Sequence, residues 1–336
     1  MNKRRLPFLD HSKSIGLLLM IVGHFWTVDA GVRGFIYSFH MPLFFIIAGI
    51  LYKRLPFGER ARKDWRSLIL PYLLVNLVCM VIRLAVPAIT EPGYALGRHF
   101  LAQAGAILIG ESLHAWGLEP VCGPSWFILA IAMLHVMGYL LPSREKGWKR
   151  YFLSGLLVSA VCVTAVWLLH HFDVLIPGPT DSVLMAFPFF WLGTLLRQMD
   201  FQRIRTAVVV LLLVACAAAT YGMNRYNGPV DINGIQYGRS MAVYYLCSVT
   251  GTMMVLFCSL LLERLNRRWL DAFARVMSAG AIAVIGFHRF GILVCESLGV
   301  TSPWLSLAAS LAVFLAFYPI IRLLARFFPA LLGYRI

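Results

Sequence analysis

The chain has 336 residues, of which 60% are hydrophobic and 13% are charged. A soluble domain of this length carries about 25% charged residues, so the composition excludes one and points to helices that cross a membrane repeatedly. A net charge of +15 in a soluble protein would suggest a nucleic-acid partner; here Lys and Arg fall in short segments between apolar runs, which reads as membrane topology and no nucleic-acid surface.

Ten spans are predicted, at 11–29, 34–52, 67–87, 125–141, 151–171, 183–197, 206–222, 240–262, 276–297 and 303–325. The runs are continuous rather than alternating, which excludes a β-barrel and makes the fold class an all-α polytopic membrane protein. The start, Lys3-Arg4-Arg5 before an apolar run, has the outline of a signal peptide. Lys13 and His24 inside that run argue instead for a retained first helix. Asp10, Lys13 and His24 share one face of that helix at about 100° per residue, with the two charges roughly 21 and 16 Å from the imidazole. Ionisable groups in an apolar layer are costly and default to a functional reading. The second span carries His40.

The outer segment 88–124 holds a short apolar helix near 99–113, which is read as re-entrant or lying on the surface. It ends in E-P-V-C-G-P-S-W-F, whose Gly and Pro mark a turn before the fourth span. Glu119 in it is a carboxylate with no assigned role. The short span 183–197 is tolerable beside a cavity. Loop 223–239 contains the turns Asn227-Gly228 and Asn233-Gly234; its polar and aromatic groups, Asp231, Asn233 and Tyr237, also suit a sugar. His288 and Arg289 lie near the outer end of the ninth span, whereas His135, His170 and His171 read as structural. The seven cysteines form no C-x-x-C pair, and neither a disulfide framework nor a metal site is expected. No internal repeat or soluble domain interrupts the chain, so 1–336 is one membrane-embedded domain.

With the N-terminus in the cytoplasm, 24 of the 30 Lys and Arg fall on the inside, in the N-terminal segment, in the segments 53–66, 142–150, 197–205 and 263–275, and at the C-terminal end. This positive-inside bias puts both termini in the cytoplasm.

Transfer of an acyl group to an alcohol needs a base at the hydroxyl and donors for the developing oxyanion. If the carrier is coenzyme A, its phosphates call for Lys and Arg. His24 is the candidate base. His40 faces it from the second span, orienting the hydroxyl or donating to the oxyanion. Lys13, steadied by Asp10 at i, i+3, and Arg62 and Arg66 on the same cytoplasmic side form the candidate donor site.

The chain resembles acyltransferase family 3, the integral-membrane acyltransferases that modify cell-surface carbohydrates. The resemblance is carried by L-D-H-S-K-S-I-G-L-L-L-M-I-V-G-H, F-H-M-P-L-F-F-I-I-A-G, R-S-L-I-L-P-Y, G-P-S-W-F-I-L-A, N-G-P-V-D-I-N-G-I-Q-Y-G and S-A-G-A-I-A-V-I-G-F-H, in order along nearly the whole chain. Many members have arginine where this chain has Lys13; lysine keeps the charge and loses the planar fork. The chain looks like the compact members that consist of the membrane domain alone. The resemblance implies ten helices, acetyl-CoA or another acyl-CoA as co-substrate, no permanently bound cofactor, and a glycan or lipid-linked sugar of the cell envelope as acceptor. That setting is the inner (cytoplasmic) membrane of a bacterium, among membrane lipids. Trp126, Asp231, Asn233, Tyr237, His288 and Arg289 are the acceptor-side candidates. The alternative is a secondary transporter or flippase of a glycolipid or small anion, which paired repeats and broken helices would mark; neither is evident in the sequence.

Overall fold

The computed structural model describes residues 6–110, 118, 120–174 and 176–333. Among these residues there are fourteen α-helices: α1 (Pro7–His24), α2 (Ala30–Tyr37), α3 (His40–Leu51), α4 (Phe57–Asp64), α5 (Leu70–Thr90), α6 (Leu96–Ile109), α7 (Trp126–Met137), α8 (Trp148–His171), α9 (Thr180–Leu196), α10 (Thr206–Asn227), α11 (Met241–Arg264), α12 (Arg268–Ala279), α13 (Ala281–Ser297) and α14 (Pro303–Phe327). A π-helical turn, Trp65–Ile69, joins α4 to α5. Seven helical runs are long and apolar enough to cross a membrane, with α2–α3 and α4–α5 each taken as one, and the bent pair α12–α13 makes eight. The 17-residue α9 is apolar but shorter. The 18-residue α1 carries Asp10 and Lys13 near its start. Each predicted span overlaps a helix, and the protein is an all-α polytopic membrane protein. The short helix expected near 99–113 is α6, which ends at a left-handed Gly110; 111–117 and Glu119 lie outside the described residues.

Three expectations need correction. The second span is two helices, interrupted at Phe39 (φ −146°, ψ −15°). Proline supplies the reason: Pro42 has no N–H to give to the Ser38 carbonyl, so the ladder cannot run through. The freed carbonyl is taken by the Ser248 hydroxyl of α11 at 2.7 Å, as a buried backbone acceptor in an apolar layer requires. One turn along α11, Gly251 leaves room for the Phe39 ring, whose Cγ lies 2.4 Å from where a Cβ would stand. The ninth span is broken too. α12 and α13 meet at Gly280 at an angle of 83°, so 276–279 belong to a separate helix. Finally, segments 53–66 and 263–275, expected to be inside loops, contain α4 and most of α12.

α1 is the hub, packed against α3, α11, α12, α13 and α14. Its Leu17 and Ile21 are fully buried. His11 Nε2 pairs with Asp271 of α12 at 2.8 Å, and the Ser14 hydroxyl donates to Ala274 O at 3.1 Å. α3 and α9 approach backbone to backbone. A Cβ on Gly49 would stand 2.0 Å from Phe190 O, and one on Gly193 would stand 2.0 Å from Ile46 O. Without a hydrophobic drive between helices in lipid, small residues that permit such approach set which helices associate.

Gly49→Ala or Gly193→Ala should therefore force α3 and α9 apart, costing at least the about 1–3 kcal/mol of ordinary overpacking. Thermal unfolding of detergent-purified protein should show a lowered midpoint for each; unchanged midpoints would remove this contact from the account.

Candidate active site

The end of α1, the α2–α3 break and α13 each contribute to a cluster of rings. His24 is the last residue of α1, His40 the first of α3, and His288 lies two turns beyond the Gly280 bend in α13. The His24 and His288 rings meet edge to face with centroids 4.9 Å apart. Tyr37, at the end of α2, stands between His24 (6.2 Å) and His40 (4.9 Å). Gly23 lets the Tyr37 ring in, its Cε2 lying 3.0 Å from an ideal Cβ position. His40 and His288 are buried, and His24 is half-buried.

Each imidazole is anchored in the same way. His24 Nδ1 lies 2.7 Å from Met20 O, and His40 Nδ1 lies 3.0 Å from Ile36 O across the α2–α3 break. His288 Nδ1 is shared between Val284 O at 2.9 Å and Ile285 O at 3.0 Å. A carbonyl can only accept, so Nδ1 carries a proton in each ring, and in the neutral imidazole Nε2 then carries the lone pair. His288 Nε2 is buried with no partner. A lone pair on Nε2 can accept a proton or an O–H group. In this tautomer His40 has no Nε2–H, so of its two expected roles the geometry favours receiving a hydroxyl over donating to an oxyanion.

The acceptor-side candidates divide. Arg289 joins the cluster: its guanidinium donates to His24 O at 3.3 Å, capping the C-terminal end of α1, and lies 4.0 Å from Glu296. The Asp231 carboxylate acts electrostatically on His24 and Tyr37, and it accepts the Asn233 N–H at 2.9 Å within its own turn. Asn233 is buried with its side-chain oxygen unpartnered. Tyr237 is placed elsewhere, its ring 5.5 Å from that of His170 on α8. Trp126 is buried against Phe127 and Phe45, with centroids at 6.1 and 6.4 Å, so its face packs the core.

On the donor side, α1 runs unbroken from Asp10 to His24. The shared face is therefore intact, with the half-buried Lys13 about 16 Å along the axis from His24. Arg62 on α4 and Arg66 in the π turn are exposed, and the ring cluster includes neither.

Two features escaped sequence reasoning. Tyr37 has its signal three residues before His40, but the signal is legible only once the α2–α3 break is known. The second is a polar knot at the opposite end of α3. There the Asp64 carboxylate accepts from Arg60 at 3.3 Å and from His135 Nδ1 at 3.1 Å, while Tyr52 donates to His135 O at 3.3 Å.

A family model described as an acyltransferase domain, Acyl_transf_3, matches residues 6–333. No curated protein and no solved structure matches the chain. The match runs over all fourteen described helices, including the three that carry the histidines. The chain belongs to acyltransferase family 3 and is an integral-membrane acyltransferase.

Proposed function

We propose that the protein is an O-acyltransferase, moving an acetyl or similar group from cytoplasmic acyl-CoA to a hydroxyl of a cell-envelope glycan or lipid-linked sugar in a bacterial inner membrane. The observation that carries this reading is the histidine cluster at the end of α1 farthest from Lys13, with its lone pairs on Nε2. His24 Nε2 takes the proton of the acceptor hydroxyl as its oxygen attacks the thioester carbonyl. The C–S bond then breaks, and the coenzyme A thiolate takes that proton back from the imidazolium. Met20 O holds the Nδ1–H throughout, which keeps the ring oriented and steadies its positive charge. Tyr37 brings an O–H donor to the ring cluster, and we assign it to the oxyanion. His40 and His288 receive the acceptor's hydroxyl groups. Lys13 holds donor phosphates, and the pantetheine arm spans the roughly 16 Å of α1 between the two sites. The broken helices that would suit a transporter are used here to bring histidines together from three elements.

Three outcomes test this. Labelled acetyl groups supplied as acetyl-CoA should enter an envelope glycan only when the gene is present, and His24→Ala should lower that turnover by about 10²–10⁴-fold with donor binding retained; a folded His24→Ala protein with wild-type turnover excludes the assignment. Tyr37→Phe keeps the ring contacts and removes the donor, so kcat should fall by roughly 10²-fold with little change in KM; an unchanged kcat removes Tyr37 from the mechanism. Cysteine-accessibility labelling should find both termini and 142–150 cytoplasmic and 223–239 external, and the reverse pattern would turn the scheme over.

A further inference from the structure

The end of α3 away from the histidines gathers more positive charge than the structure neutralises. Arg54 donates to Leu141 O, Arg144 to Thr194 O and Arg197 to Tyr52 O. These bonds tie the ends of α3, α7 and α9 to one another. Two of the guanidiniums also lie over aromatic rings, Arg54 on Tyr139 at 5.2 Å and Arg144 on Tyr151 at 4.8 Å. The rings are themselves fixed, Tyr139 by its bond to Leu55 O at 2.6 Å and Tyr151 by Thr194 Oγ1 at 2.6 Å. Arg144 binds the carbonyl three residues before Arg197, so two like charges meet at the C-terminal end of α9. Asp64 is the carboxylate of this knot, and it is engaged by Arg60 and His135. Among the described residues no carboxylate pairs with Arg54, Arg144 or Arg197.

A capping role explains one N–H of each arginine, since the last carbonyls of a helix lack intrahelical donors and favour cations. It leaves the rest unexplained. A guanidinium has five N–H groups, and each of these three spends one on a carbonyl. What remains is a set of pre-oriented forks on a rigid frame, with like charges held together. That is the arrangement that recognises phosphate oxygens, through charge-assisted and often bidentate bonds. We propose that Arg54, Arg144 and Arg197 form a phosphate-binding site at the mouth of the bundle, for the phosphates of the acyl donor or for the headgroup of an anionic lipid. Its residues are other than the expected Lys13, Arg62 and Arg66 set. α3 leads from it to His40, a path of about 16 Å for a helix of twelve residues. Where the ligand is the donor, the proposal rests on the acyl-CoA reading above.

The test uses full-length detergent-purified protein and the double variant R144Q/R197Q. Glutamine keeps an N–H for each carbonyl and removes the charge; R144K/R197K, which keeps the charge and loses the fork, serves if the first does not fold. Coenzyme A is titrated in one arm. In the other, the thermal midpoint is compared in vesicles of phosphatidylglycerol and of phosphatidylcholine. The donor form of the site predicts at least tenfold weaker coenzyme A binding in R144Q/R197Q and an intermediate loss in R144K/R197K. The lipid form predicts unchanged coenzyme A binding and loss of the stabilisation given by phosphatidylglycerol. If coenzyme A binds neither wild type nor variant while phosphatidylglycerol stabilises wild type alone, the arginine site stands and the acyl-CoA reading falls. If Lys13→Ala weakens coenzyme A binding while the arginine variants change neither arm, the arginine site is overturned and the acyl-CoA reading stands.

Discussion

An imidazole in an apolar layer must place its N–H, and here each of three imidazoles gives it to a carbonyl of the preceding helical turn. The rest of the site depends on that choice. It sets the tautomer, leaves every lone pair on Nε2, and fixes the rings without recruiting a carboxylate that would have to be buried beside them. It works alike at a helix end, across a break and within a helix, where His24, His40 and His288 respectively sit. A helical side chain leans toward the N-terminus of its own helix and reaches the carbonyls of the preceding turn. His24 does so from the last residue of α1, and His40 does so across the break.

The breaks have a cost that is met locally. Pro42 strands the Ser38 carbonyl, and Ser248 takes it; the C-terminal end of α1 exposes the His24 carbonyl, and Arg289 takes it. Non-helical backbone within the apolar layer is tolerated on those terms. The same helix that supplies Ser248 also supplies Gly251, which admits Phe39. α11 is thus a seat shaped for the break, although it carries none of the ring-cluster residues.

Much of this was legible in the sequence. Spacing alone put Asp10, Lys13 and His24 on one face, and α1 keeps it. Apolar run length located the long helical runs, because hydropathy dominates in a membrane, although only seven of them, or eight with the bent pair, are long and apolar enough to cross one. What it missed lies at finer grain. Pro42 was visible, but a proline in a helix's first turn is permitted anywhere, so it did not announce a break. Gly280 was likewise one glycine among 27, and only the fold shows Ile321 of α14 packed 2.3 Å from where its Cβ would stand. The ring contacts of Tyr237 with His170 and of Trp126 with Phe45 and Phe127 were equally out of reach. The pairing of Asp64 with His135, 71 residues apart, has no local signature. Such contacts come from how helices pack and not from any one helix's pattern.

The central claim is that His24 holds its proton on Nδ1 and offers Nε2 to the acceptor. Nitrogen NMR of protein labelled with ¹⁵N-histidine, with His24 assigned by its absence from the spectrum of His24→Gln, reads this directly. The account predicts a protonated Nδ1 and a lone-pair Nε2 for His24 at neutral pH. A His24 signal showing the proton on Nε2 and the lone pair on Nδ1 would contradict it.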